Sequence, residues 1–241
     1  MTIVVCADHA EASLHVSGLV TSALRSQPSL VLGLPTGRTP VALYAALVAA
    51  GLDWSQVRTF NLDEFAHLPP GDAGSFRSFM DAHLFSKVNL APANIGFLRG
   101  DAADERAECA RYEQAIQRAG GIDLLLLGLG ANGHIGFNEP GPELQAPTHP
   151  VSLHGSTRLA NADRFGGDPA RVPERALTIG MGQVLRARHV VLMATGAAKE
   201  AAVAAMTSGP LTTGCPASWL QVHPDLTLVL DREAAAALPP I

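Results

Sequence analysis

The stretch Ile122-Asp123-Leu124-Leu125-Leu126-Leu127-Gly128 decides the fold. Its apolar run is continuous and stops at a glycine. A strand with one wet face alternates apolar and polar side chains, whereas one covered on both faces does not. The run is also shorter than an ordinary helix. It therefore reads as a parallel strand buried between two layers of helices.

Other strands fall at 2–6 (TIVVC), 30–34 (LVLGL), 57–62 (VRTFNL), 176–180, 189–194 and 226–230. Helical patterns separate them. Asp8 and Glu11 form a capping pair that opens a helix, with Leu14, Leu19, Val20 and Leu24 expected to face inward. Pro28 stops that helix. A helix over 40–50 starts with Pro40 at its first position. Residues 75–88 place Phe76, Phe79, Met80, His83 and Leu84 on one face, and further helices fit 103–119 and 197–207. The Pro/Gly-rich region 140–150 reads as a loop. Strands alternating with helices imply βαβ units, hence an α/β fold with a mostly parallel central sheet. Neither a repeat nor a linker divides the chain, so one domain over 1–241 is expected.

Composition removes several function classes. With 22 acidic and 17 Lys+Arg side chains in 241 residues, the net charge of −5 argues against a nucleic-acid surface. An apolar fraction of 47% argues for a packed core over disorder. No apolar stretch reaches the length of a membrane span. Cys6, Cys109 and Cys215 are odd in number, widely spaced and without a C-x-x-C, so reduced thiols are expected. The N-terminal MTIVVCADHAE lacks the basic and apolar regions of a signal peptide, and a cytoplasmic location is expected. Among nine histidines there is no H-E-x-x-H, so no metal is expected.

Ligands of parallel α/β sheets bind beyond the carboxyl ends of the strands, and three of those ends carry unusual chemistry. After 30–34 comes Pro35-Thr36-Gly37-Arg38-Thr39-Pro40. A glycine turn entering a helix N-terminus suits an anion, and a simple helix cap by Thr39 also fits. After 57–62 come Asp63 and Glu64. Adjacent strand residues point to opposite sides, so one of the two faces any cleft, where it could act as a general base. After 122–128 comes Gly128-Leu129-Gly130-Ala131-Asn132-Gly133-His134-Ile135-Gly136-Phe137-Asn138-Glu139-Pro140-Gly141. The literal G-x-G-x-x-G here is no dinucleotide fingerprint, because Gly136, Pro140 and Gly141 break the helix that motif requires. What remains is a tight loop presenting Asn132, His134, Asn138 and Glu139. A histidine with a nearby carboxylate can shuttle protons near neutral pH. Lys199 falls in the first turn of the 197–207 helix, where the dipole disfavours a cation unless an anion binds there. Arg164 is a further anion candidate.

LGLPTGRTP (32–40), FNLDEF (60–65) and GLGANGHIGFNEPG (128–141), in that order, resemble the glucosamine-6-phosphate deaminase family, which is related to the 6-phosphogluconolactonases. The resemblance runs from about residue 30 to 231. It implies a Rossmann-like three-layer sandwich that binds an amino-sugar phosphate without a cofactor. It also implies conversion of glucosamine 6-phosphate and water to fructose 6-phosphate and ammonia. By motif, Asp63 matches the base that moves a proton between C2 and C1. His134 matches the ring opener, and Glu139 its carboxylate partner. Thr36, Gly37, Arg38 and Thr39 match the phosphate loop, and Lys199 and Arg164 match phosphate-binding residues, with Arg158 as a rival to Arg164.

Two positions depart from the pattern. Asn132 stands where many members have Asp; it can orient a neighbour but carries no charge. Arg38 stands where a small residue is usual. A lactonase, a galactosamine-6-phosphate deaminase or a non-catalytic sugar-phosphate sensor are the alternatives. Segment 142–151 (PELQAPTHPV) lacks the basic residues of the family's allosteric site, so a non-allosteric monomer or small homo-oligomer is expected.

Overall fold

The computed structural model describes residues 1–239; Pro240 and Ile241, which the one-domain expectation includes, lie outside the described residues. The elements are β1 (Thr2–Cys6), α1 (His9–Ser26), β2 (Val31–Leu34), α2 (Val41–Ala49), β3 (Arg58–Asn61), β4 (Asp63–Phe65), α3 (Phe76–His83), β5 (Ile95–Gly96), α4 (Glu105–Arg118), β6 (Leu124–Gly128), β7 (His149–Ser152), α5 (Gly155–Asn161), β8 (Arg175–Thr178), α6 (Met181–Arg186), β9 (His189–Ala194), α7 (Glu200–Ser208) and β10 (Leu226–Asp231). Seven strands form a parallel sheet in the order β1-β10-β9-β6-β2-β3-β5.

The leucine run forms β6, at the centre of this sheet. Leu124 and Leu126 pack with Val16 and Val20 of α1 and Tyr44 and Leu47 of α2. Leu125 and Leu127 pack on the other face with Tyr112 and Ile116 of α4, Val184 of α6 and Met206 of α7. Both faces are therefore dry, which is why the run has no polar alternation. Each buried leucine contributes roughly 1.5–3 kcal/mol relative to exposure. On β2 next door, a Cβ on Gly33 would lie 2.3 Å from Leu125 Cδ1, so glycine lets the two strands approach.

β2 and β6 are neighbours, but their continuations diverge. The chain from β2 proceeds to β3 on one side, and that from β6 reaches β9 on the other. Loops leaving a topological switch point part and open a crevice there. A second, antiparallel sheet, β4-β8-β7, stands at the carboxyl end of the first. Leu62 is the one residue between β3 and β4, and it bonds both ways: its N–H donates to Leu34 O (3.3 Å) and its carbonyl accepts from Ile179 N–H (2.8 Å).

Several sequence expectations change. The strand at 57–62 forms as β3, a further strand, β4, begins at Asp63 beyond it, and the strand at 176–180 belongs to the antiparallel sheet. The end of the 140–150 loop pairs as β7, and two short helices, α5 and α6, add to those the sequence pattern predicts. The helix at 75–88 stops at His83 and continues as a single tight turn over Phe85–Lys87. Glu11 N–H donates to Asp8 Oδ1 at 2.9 Å, as a capping pair does. Leu14, however, is exposed, because the buried face of α1 runs through Ala12, Val16, Val20 and Leu24. Among the described residues no helix is long and apolar enough to cross a membrane.

Candidate active site

A cleft of about 410 Å³ opens at the switch point. Its floor and walls come from the loops after β2 and β6, from β4, from α5 and from the turn before α7. The loop after β2 supplies Thr36, Gly37, Arg38 and Thr39. Gly37 turns the chain with φ of +102°, a conformation that costs other residues strain, and α2 starts four residues later.

β4 divides its two carboxylates between its faces, as strand pleating requires. Asp63 faces the cleft, while Glu64 points away and accepts from the backbone N–H groups of Phe65 (2.8 Å), Phe76 (2.9 Å) and Arg77 (2.8 Å), so it holds the start of α3. Asp63 is only 6% exposed, and its Oδ1 has no hydrogen-bond partner among the described residues. Burial, with help from the Glu64 charge and against the pull of Arg164, pushes the Asp63 carboxyl up to about 8. A carboxylate kept dry in this way is a stronger base than one in water.

The glycine-rich loop after β6 carries a hydrogen-bonded relay. Burial would raise the Glu139 carboxyl, but the imidazole of His134 beside it, with donors from Thr157 and Asn132, holds it at about 2. An ionised carboxylate only accepts. Asn132 accordingly turns its amide Nδ2 toward Glu139 Oε2 (2.9 Å) and its Oδ1 toward His134. That oxygen lies 2.7 Å from His134 Nδ1 and 3.2 Å from the His134 backbone N–H. An amide oxygen cannot donate, so Nδ1 carries the imidazole hydrogen, and Nε2 keeps a lone pair for a ligand. Glu139 Oε2 stands 3.4 Å from the same Nδ1. A Cβ on Gly130 would sit 2.3 Å from Nδ1, so glycine at that position makes room for the ring.

Lys199 reaches the cleft from the turn Ala197–Lys199 that leads into α7. Burial lowers its ammonium, and among the described residues no salt bridge holds it. Arg38 lines the rim but is largely exposed, and it pairs with Asp163 of the segment following α5. The structure does not bring Arg164 to the cleft. Its guanidinium donates to the carbonyls of Gly74 (3.0 Å) and Ser75 (2.7 Å) and lies 5.1 Å over the rings of Phe76 and Phe79. Arg158 is no substitute, since it donates to Val172 O (3.1 Å) outside the cleft.

Thr157 of α5 escaped sequence reading. Its hydroxyl donates to Glu139 Oε1, yet nothing in the polar stretch that contains it distinguishes it from Ser156. Among the described residues no group of three or more His, Cys, Asp or Glu side chains is placed to hold a metal ion.

The profile of the family described as glucosamine-6-phosphate isomerases/6-phosphogluconolactonase matches residues 7–228. The chain belongs to this family. Among relatives in the isomerase/lactonase family, glucosamine-6-phosphate deaminase 1 of Giardia intestinalis is 46% identical, over 95% of this chain and 86% of that protein. The glucosamine-6-phosphate deaminase of Halothermothrix orenii is 43% identical, over 99% of this chain and 100% of its own length. The solved structure of a monomeric glucosamine-6-phosphate deaminase superposes with a TM-score of 0.94 at 37% identity, covering 98% of this chain and 99% of that one.

Proposed function

We propose that this chain is a glucosamine-6-phosphate deaminase, converting glucosamine 6-phosphate and water to fructose 6-phosphate and ammonia in a single domain. One observation carries the assignment of roles: a dry carboxylate, an oriented imidazole and an anion-suited loop with a half-buried ammonium all open into one cleft. The deaminases described above, similar along nearly the whole chain, support the reaction.

The chemistry follows from these positions. The pyranose must open before C2 becomes acidic. His134 Nε2 takes the hydrogen of the C1 hydroxyl and returns a proton to the ring oxygen, giving the aldehyde. Asn132 and Glu139 support the charge that passes through the imidazole. Asp63 then removes the C2 hydrogen and delivers it to C1. This converts the enolamine into an iminium at C2; water adds there and ammonia leaves, giving the ketose. The phosphate sits at the far end, held by the 36–39 loop and Lys199, so that its binding energy fixes C1 and C2 against Asp63. Arg164 would join the phosphate only by releasing the Gly74 and Ser75 carbonyls. The similar deaminase of known structure is monomeric, which supports a monomer here, and the three buried free cysteines suit a cytoplasmic enzyme.

A coupled assay for fructose 6-phosphate and ammonia tests the reaction, with galactosamine 6-phosphate and 6-phosphogluconolactone run in parallel. Turnover of either alternative with none of glucosamine 6-phosphate would overturn the assignment. The two cations of the cleft should separate in the same assay. Lys199→Ala should raise KM about 10- to 100-fold with a smaller effect on kcat, as loss of a charge-assisted contact does. Arg38→Ala should change KM less than about threefold, because an exposed pair contributes little.

A further inference from the structure

Thr157 is 5% exposed and lies on α5, where it lines the cleft together with Ser156, Ala160 and Asn161. The two oxygens of Glu139 have separate tasks. Oε2 accepts from Asn132 and faces His134, whereas Oε1 accepts from the Thr157 hydroxyl. The last torsion of a glutamate is soft and nearly two-fold, so a carboxylate held by one oxygen alone swings about its final bond. A donor on each oxygen fixes its plane. Facing an ionised carboxylate, the hydroxyl can only donate, and α5 fixes where it stands; the Thr157 carbonyl in turn accepts from Asn161 Nδ2 at 2.9 Å.

We propose that Thr157 is a positioning residue of the proton relay: its hydroxyl anchors Glu139 Oε1, which keeps Oε2 on Asn132 and His134 and leaves Nε2 aimed into the cleft. This rests on the reading of His134 as the ring opener. It also makes the seating of α5, a wall of the substrate cleft, a condition for an intact relay.

Thr157→Val keeps the shape and removes the hydroxyl; Thr157→Ser keeps the hydroxyl and removes a methyl group. With glucosamine 6-phosphate, Thr157→Val should lower kcat about tenfold while KM stays within about twofold, as expected for losing one hydrogen bond to a charged group. Thr157→Ser should stay within about threefold of the unaltered enzyme. Thr157→Ala is a second hydroxyl-free variant and should match Thr157→Val, which keeps the test open if the valine protein does not fold. In a His134→Gln background Thr157→Val should add no further loss. Unchanged kcat in both hydroxyl-free variants, a serine variant as impaired as the valine one, or losses that multiply with His134→Gln would each overturn the proposal. Full activity of His134→Gln would instead overturn the ring-opening reading itself, so the two failures are distinguishable.

Discussion

Replacing Asp63 with Asn should abolish turnover while making the folded chain more stable near neutral pH. Asn matches the shape but cannot accept the C2 hydrogen, and removing a general base costs about 10²–10⁴-fold. The stability gain follows from proton linkage. An unfolded aspartate titrates near 3.9, whereas Asp63 in the fold titrates at about 8. Between those values the folded chain holds a proton that the unfolded chain has released, so stability falls as pH rises. Asn does not titrate. The melting temperature of Asp63→Asn should therefore match that of the unaltered chain near pH 4 and exceed it at pH 8. Even about 1 kcal/mol would appear as a gap of roughly 2–4 °C. Thermal melts across that range check the claim, and a gap that closes toward pH 8 would contradict it. The same group sets the pH dependence of the reaction. The base must be ionised, so kcat/KM should climb with pH through about 8.

His134→Gln should slow turnover of the cyclic sugar by about 10²–10³-fold. Glutamine can still hydrogen-bond, but it cannot carry a proton from one oxygen to another. The loss belongs to ring opening, so an open-chain analogue of the substrate should recover most of the rate in His134→Gln and none in Asp63→Asn. Steady-state rates on both substrates decide this. Equal impairment on the two would place His134 in the C2-to-C1 transfer instead.

The leucine run of β6 disclosed the parallel sheet because burial on both faces removes all alternation, a signal intrinsic to the sequence. That only one of Asp63 and Glu64 faces the cleft was likewise readable, since pleating forces neighbours apart, whereas the hold of Glu64 on the start of α3, twelve residues on, was not. The antiparallel sheet was not. Its β4 has three residues and continues from β3 after one, so no turn signal separates them. Strand β7 contains Pro150 and follows a proline-rich loop, which masks it. The relay shows the same limit. His134 and Glu139 share one loop and invite comparison, but the donor on Glu139 Oε1 arrives from α5, eighteen residues further on. Arg164 carried the right charge in the right segment, yet the resting structure spends its donors on two backbone carbonyls, which sequence does not encode locally.

Leu62 is the single residue between β3 and β4, bonded through its N–H to one sheet and through its carbonyl to the residue that follows β8. Its side chain is buried in the core and borders the cleft, so a change of size there carries the cost of repacking. Length cannot vary. Because side chains alternate along a strand, one residue inserted or removed there would turn every following side chain of β4 over, trading the base in the cleft for the cap on α3. The junction is thus a place where a single-codon insertion or deletion would silence the cleft while leaving the parallel sheet standing.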